Sequence, residues 1–278
     1  WMKVPELRQQ MDRNNIRWAG GANPAIPGNA AAIAQINKEA ASVLGRRYLL
    51  FTGQGQWLSL KQQSGVAALE AAESPAFRER LGLMESQLAS GVAIGIGEIH
   101  VNSADTAPLE PVRIRIRADA PTLLAMLDLA AKHQRPLAVH AQWDRDTVEQ
   151  LGRLAAHNRQ GMLWLSHCGV TTSADQLRSF LRDHPNVWCD ISYRSPPQLR
   201  GNAQRNAIFD KSGLKSDWRQ LIEDMPGRFM LGIDDVEGGW SMWQEVVDTL
   251  RENLLASLTA ETAERVAWKN ARDLLRLE

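Results

Sequence analysis

Short unbroken apolar runs alternate along this chain with longer stretches in which apolar residues recur every third or fourth position. The first pattern predicts buried strands and the second predicts helices lying on a core. Strands are expected at 16–20, 47–52, 92–99, 136–141, 162–166, 186–191 and 229–233. A helix over 5–14 starts at Pro5 and carries Leu7 and Met11 on one face. One over 29–43 has Ile33, Ile36, Ala40 and Val43 as its stripe, and one over 75–89 opens on Pro75. Further helices are predicted at 121–133, 145–157, 173–183, 217–224, about 240–256 and 260–275. Gly20 to Pro24 reads as a loop, as does Gly53 to Trp57 with the polar stretch after it. So do 101–118, with Arg113, Arg115 and Arg117 alternating, and the polar 194–216 stretch with its Pro196-Pro197 pair.

Strict strand–helix alternation implies a parallel sheet with helices packed outside it. The strands are apolar throughout, as expected when both faces are buried. Seven strands are predicted, and an eighth would close a (β/α)8 barrel. Because the chain opens on a helix, the strand lacking should be the first. Residues 1–278 are read as one domain. An open sheet is the alternative, but it does not naturally gather residues from four non-adjacent strands.

Chemistry collects at the C-terminal ends of these strands. Glu98 and His100, His140, His167 and Asp234 each close an apolar run, and in a barrel those ends share one mouth. Carboxylates and imidazoles are metal-ligand types. Glu98 and His100 are two apart and point to the same side of a strand. Glu98, which ends the apolar run, is the expected ligand, and His100 is expected to touch the substrate or to support a ligand. Asp234 and Asp235 point oppositely, and Asp234 is the one assigned to the site. His133, His157 and His184 end helices on the far side, where a structural role suffices. Trp57, Gln142, Trp143, Tyr193, Arg194 and Trp240 follow strands and are candidates to line the mouth. Arg194 could grip a substrate carboxylate or phosphate by two hydrogen bonds. In the competing reading the tryptophans cap the barrel and Arg194 is solvated. The Arg113, Arg115 and Arg117 stripe reads as a solvated face.

Composition narrows this little further. Apolar residues make up 44% of the chain, enough for a large core, and the 32 basic residues balance 32 acidic ones, so no nucleic-acid partner is indicated. No apolar run is long enough to span a bilayer, so neither a membrane partner nor a membrane anchor is expected. Two cysteines, Cys168 and Cys189, sit at or near buried strand ends, and a disulfide framework is not expected. A soluble protein is expected, with cytoplasm and periplasm undecided.

Taken together, Gly97-Glu98-Ile99, His140, Ser166-His167-Cys168-Gly169 and Gly232-Ile233-Asp234 resemble motifs of strands four, five, six and eight in the metal-dependent amidohydrolase superfamily. The resemblance extends to the C-terminal Asn270-Ala271-Arg272-Asp273-Leu274-Leu275 helix. It implies a TIM barrel holding one or two divalent ions, zinc being the expected one. Glu98, His140, His167 and Asp234 would be the ligands, and Asp234 would also move the proton of an attacking water. The expected partner is a small molecule: a cyclic amide, lactone, ester or phosphoester. Related barrels decarboxylate aromatic acids, and a non-catalytic barrel with a degraded site is the third reading. A homo-oligomer is compatible with any of these. The family pattern also has a His-x-His pair on strand one. No such pair occurs in this sequence, so it is expected upstream of Trp1.

Overall fold

A computed structural model describes residues 3–21, 30–107, 110–196, 198–199, 207–234 and 242–278. β1 (Ala19–Gly21) pairs in parallel with β2 (Tyr48–Leu50). After Phe51 the same stretch resumes as β3 (Thr52–Gly53), which pairs with β4 (Ile96–Asn102). The row continues in chain order through β5 (Pro136–Ala141), β6 (Met162–Leu165) and β7 (Val187–Ile191). A small antiparallel hairpin, β8 (Phe209–Asp210) with β9 (Gly213–Leu214), precedes β10 (Phe229–Leu231), which joins β7. This is the barrel order predicted from the sequence, for strands two to eight. Among the described residues no strand pairs with the outer edge of β1 or of β10.

The helices that cover this row start where their sequences provide caps. α1 (Val4–Arg13) carries Pro5 in its first turn and buries Val4 and Met11 against Ala40 and Leu44 of α2 (Ala30–Leu44). α3 (Gln54–Ser64) and α4 (Pro75–Ala89) follow, with the Ser74 hydroxyl accepting from the Phe77 amide at the start of α4. α5 (Pro121–Lys132), α6 (Arg145–His157) and α7 (Ala174–Asp183) alternate with β5, β6 and β7, and Asp144 and Ser173 cap α6 and α7. α8 (Ser216–Asp224), α9 (Trp243–Thr249), α10 (Ala260–Glu264) and α11 (Asn270–Leu275) complete the described helices. No described helix is long and apolar enough to cross a membrane. Ile96, Ile99, Leu137, Val139, Leu163, Leu165, Val187 and Phe229 are fully buried, so the strands form the core.

Four local expectations need correction. Gln54 to Trp57 is the start of a helix, because Trp57, Leu58 and Leu60 are buried and anchor it. β4 begins at Ile96 rather than 92 and runs on to Asn102, and Val92 is exposed. The 101–118 stretch is not a free loop. It folds back along the strand end, where the Ser103 amide donates to Ile114 and the Ile116 amide to Val101, and Ile114 is buried. Finally, Cys168 and Cys189 form a disulfide, with Cα atoms 4.8 Å apart. Their 21-residue separation hides a contact that parallel pairing creates, since Leu165 of β6 lies opposite Cys189 of β7.

Candidate metal centre

Strand geometry brings the strand-end residues together. His100 and His140 are direct partners in the β4–β5 ladder, so their rings stack with centroids 4.4 Å apart. Gly97 permits the close approach of these strands: a Cβ there would lie 2.6 Å from that of Ala138, and its φ of 146° suits glycine alone. Next in the chain, Glu98 projects among three imidazoles. Its Oε1 lies 3.1 Å from His140 Nδ1 and 3.2 Å from His167 Nε2, and its Oε2 lies 3.5 Å from His100 Nε2. His167 stands in the tight turn Ser166–Cys168 with φ 56°, and its Nε2 is 3.6 Å from Asp234 Oδ2. Asp234 also adopts a left-handed φ, 49°, and Gln198 fixes that backbone by donating to the Ile233 and Asp234 carbonyls. The imidazoles are buried, while Glu98 and Asp234 keep part of their side chains exposed.

Burial and charge assign the protonation states. Burial, with the neighbouring His100 charge, pushes His140 down to about 4 against the pull of Glu98, so it is neutral at pH 7. Glu98 can only accept, so the His140 proton sits on Nδ1. Nε2 then accepts from the Thr106 hydroxyl 3.3 Å away. Burial raises Glu98, but electrostatic attraction to His140 and hydrogen bonds from His100, His140 and His167 outweigh it and hold the carboxyl well below its usual range. At His167 burial opposes the charge, yet the Glu98 hydrogen bond and the Glu98, Asp234 and Asp190 charges lift it to about 9. Burial raises Asp234 to about 6, helped by Glu98 and Asp190 and opposed by His167.

These donors suit a divalent cation. Ligand atoms of Glu98, His100 and His140 lie within 4.8 Å of one another. Nδ1 of His100 is buried with no hydrogen-bond partner, a cost that a cation could relieve. Mixed imidazole nitrogen and carboxylate oxygen is a set that zinc and its neighbours accept. His100, expected to touch the substrate or support a ligand, therefore stands in the same cluster as Glu98 and His140.

Several expected mouth residues point elsewhere. The Arg194 guanidinium is buried and its Nη1 and Nη2 donate to the carbonyls of His167, Gly169, Val170 and Thr172, so it is spent on backbone rather than exposed to a substrate. Trp57 is buried and its indole N–H donates to the His100 carbonyl. Trp143 packs edge-on against Phe180 of α7, and its ring also lies against Gly169. Gln142 exchanges hydrogen bonds with Asp105 and so ties down the folded-back stretch after β4. Tyr193 does lie by the site, its ring 5.8 Å from that of His167. Trp240 and Asp235 lie outside the described residues. Two groups behind the site escape sequence reasoning. Asp190 is the lone charged residue within the β7 run, which is a weak signal, and Ser192 carries no signal at all.

An amidohydrolase family model matches residues 6–277. The chain belongs to the amidohydrolase family. Solved structures share this fold across nearly the whole amidohydrolase chain. An amidohydrolase from Burkholderia multivorans with bound zinc is 17% identical, with a TM-score of 0.53 over 99% of this chain and 88% of that one. A probable 2-pyrone-4,6-dicarboxylic acid hydrolase from Acinetobacter baumannii with citric acid bound is 11% identical, with a TM-score of 0.61 over 99% and 89%. A dihydroxybenzoic acid decarboxylase from Polaromonas sp. JS666, with manganese and 2-nitroresorcinol bound, is 12% identical, with a TM-score of 0.51 over 99% and 86%. No curated protein sequence matches the chain.

Proposed function

We propose that this amidohydrolase is a metal-dependent hydrolase that directs water at a carbonyl or phosphoryl centre of a small cyclic amide, lactone, ester or phosphoester. The observation that carries the reading is the convergence of Glu98 on His100, His140 and His167 with Asp234 at its edge. Glu98, His140, His167 and Asp234 would hold the ion, with His100 as a further donor. Zinc is the first choice, and the zinc and manganese of structures with this fold support a divalent ion. A bound divalent cation supplies Lewis-acid charge that polarises the substrate oxygen and acidifies a water. Asp234 does the proton work. Its carboxylate, 3.6 Å from His167 Nε2 at the edge of the cluster, takes a proton from the attacking water and returns it to the leaving group. Neutral His140 donates Nδ1–H to Glu98, and Nε2, which accepts from Thr106 here, carries the one lone pair that it would offer an ion in place of that contact. Tyr193, whose ring lies 5.8 Å from that of His167, is the candidate substrate contact.

The purified full chain, its metal content measured and then loaded with zinc, should hydrolyse at least one compound from a panel of lactones, cyclic amides, esters and phosphoesters. Asp234→Asn and His140→Ala should each lower that rate by about 10²- to 10⁴-fold. Full activity in Asp234→Asn would overturn the proton assignment. Release of carbon dioxide from aromatic acids, with no hydrolysis of the panel, would assign a decarboxylase instead.

A further inference from the structure

Asp190 and Ser192, at the end of β7, stand directly behind His167. The Asp190 carboxylate receives three donors. The Trp164 indole N–H is 2.7 Å from Oδ2, the His167 backbone N–H is 3.3 Å from the same oxygen, and the Ser192 hydroxyl bonds Oδ1. Ser192 Oγ in turn lies 2.7 Å from His167 Nδ1. All three residues are buried. The direction of this chain follows from proton count. A carboxylate has no proton to give, so the single hydroxyl proton of Ser192 goes to Asp190. Its lone pair then faces His167, and only an N–H at Nδ1 satisfies it. Asp190 thus grips His167 twice, through the backbone amide directly and through the ring by way of Ser192. The neighbouring chain leaves room for the pair. A Cβ on Gly232 would lie 3.1 Å from that of Ser192 and 3.4 Å from Asp190 Oδ1, so the glycine of the Gly232-Ile233-Asp234 string also serves this contact.

We propose that Ser192, backed by Asp190, is a positioning residue for His167: it holds the proton on Nδ1 and so turns Nε2 toward Glu98, Asp234 and the cation. The inference rests on the reading of His167 as a metal ligand, made above. Carboxylate or carbonyl partners of ligand imidazoles commonly fix ring orientation in this way, and losing one costs about 10- to 100-fold in metal affinity. Here a hydroxyl is interposed, so the effect belongs to Ser192 as well as to the carboxylate. The Cys168–Cys189 disulfide and the His167 amide bond also fasten the turn to β7, but neither fixes the rotation of the ring.

Two measurements on the full chain test this, using wild type, Ser192→Ala and Ser192→Thr. The first is zinc affinity, read by competition with a chromophoric chelator. Ser192→Ala should bind zinc about 10- to 100-fold more weakly, Ser192→Thr should return to within a few-fold of wild type, and the urea midpoints of the three metal-free proteins should agree closely. The second needs no metal: the His167 Nδ1–H resonance in protein labelled with nitrogen-15 histidine. It should be protected from solvent exchange in wild type and Ser192→Thr and lost in Ser192→Ala. Equal zinc affinity in wild type and Ser192→Ala, or a protected resonance in Ser192→Ala, would overturn the proposal. Equal losses in the alanine and threonine variants would overturn it too, since they would mark a packing effect. A wild type that binds no zinc yet shows the protected resonance would sink the cation reading and leave the positioning role standing.

Discussion

Between pH 6.5 and about 9, folded His167 keeps a proton that the unfolded chain has shed. The folded state therefore binds more protons than the unfolded one in this window, and stability falls as pH rises through it. Below 6.5 both states are protonated and the contribution is complete. The midpoint of thermal unfolding of chelator-stripped protein should decline over this range, and His167→Gln should flatten the decline. Parallel profiles for the two proteins would refute the assignment. The same residue shows how far single positions can be read in advance. Glu98, His140, His167 and Asp234 stand out because each ends an apolar run with a polar group that a buried strand does not need. Arg194 stands out equally, yet its guanidinium serves four carbonyls of its neighbour turn. Nothing in the local sequence distinguishes an arginine that binds substrate from one that binds backbone. That depends on a turn more than twenty positions away.

At the scale of elements, Arg194 works as a bolt. It leaves the end of β7, enters the turn that follows β6, and donates to the carbonyls of His167, Gly169, Val170 and Thr172. Burial lowers its pKa to about 9, so it remains a cation at neutral pH. Arg194→Met keeps much of the volume but removes the guanidinium donor from those carbonyls, of which, among the described residues, only Gly169's still accepts, from the Thr172 amide. Each buried orphan costs about 1–3 kcal/mol, so the variant should lose about 3 kcal/mol or more of stability in urea titrations. A loss under about 1 kcal/mol would show that water replaces the guanidinium. Elements with a strong internal period were legible: β5, β6, β7 and α6 stand within a residue of expectation. α3 was not, because Gln54-Gly55-Gln56 looks like a loop until Trp57 and Leu60 find the core. The turn back along β4 was also hidden, since its alternating arginines suggested solvent while the isoleucine between two of them, Ile114, is buried.

For the molecule as a whole, strand–helix alternation was enough to give the barrel order, because each parallel crossover leaves few alternatives. The helical layer is tied together where the strand row ends. The Asn14 and Gln244 side chains exchange hydrogen bonds, and Arg251 donates to the Asn14 carbonyl, joining the end of α1 to α9 and the residues after it. Alternation says nothing about which distant side chains meet across such a layer, and the disulfide was missed for the same reason. Its closed loop of 21 residues implies a stabilisation of about 3 kcal/mol in the chain-entropy view. Reductant should therefore lower the urea midpoint, and the double variant Cys168→Ser with Cys189→Ser should match the reduced protein. An unchanged midpoint would show that packing alone holds the two strands together.

That link makes the history of a sample part of its chemistry. A chain produced in a reducing cytosol carries two thiols. With the disulfide in place, Cys168 Sγ lies 3.2 Å from the Asp190 carbonyl oxygen, which is an acceptor within reach of the thiol once the bond is reduced. A chain passed through an oxidising compartment carries the bond instead. The two samples share every residue and differ in mass only by the thiol hydrogens, but the turn bearing His167 has a covalent link to β7 in one and hydrogen bonds alone in the other. An activity measured on one preparation describes that preparation, and the free-thiol count belongs beside every rate.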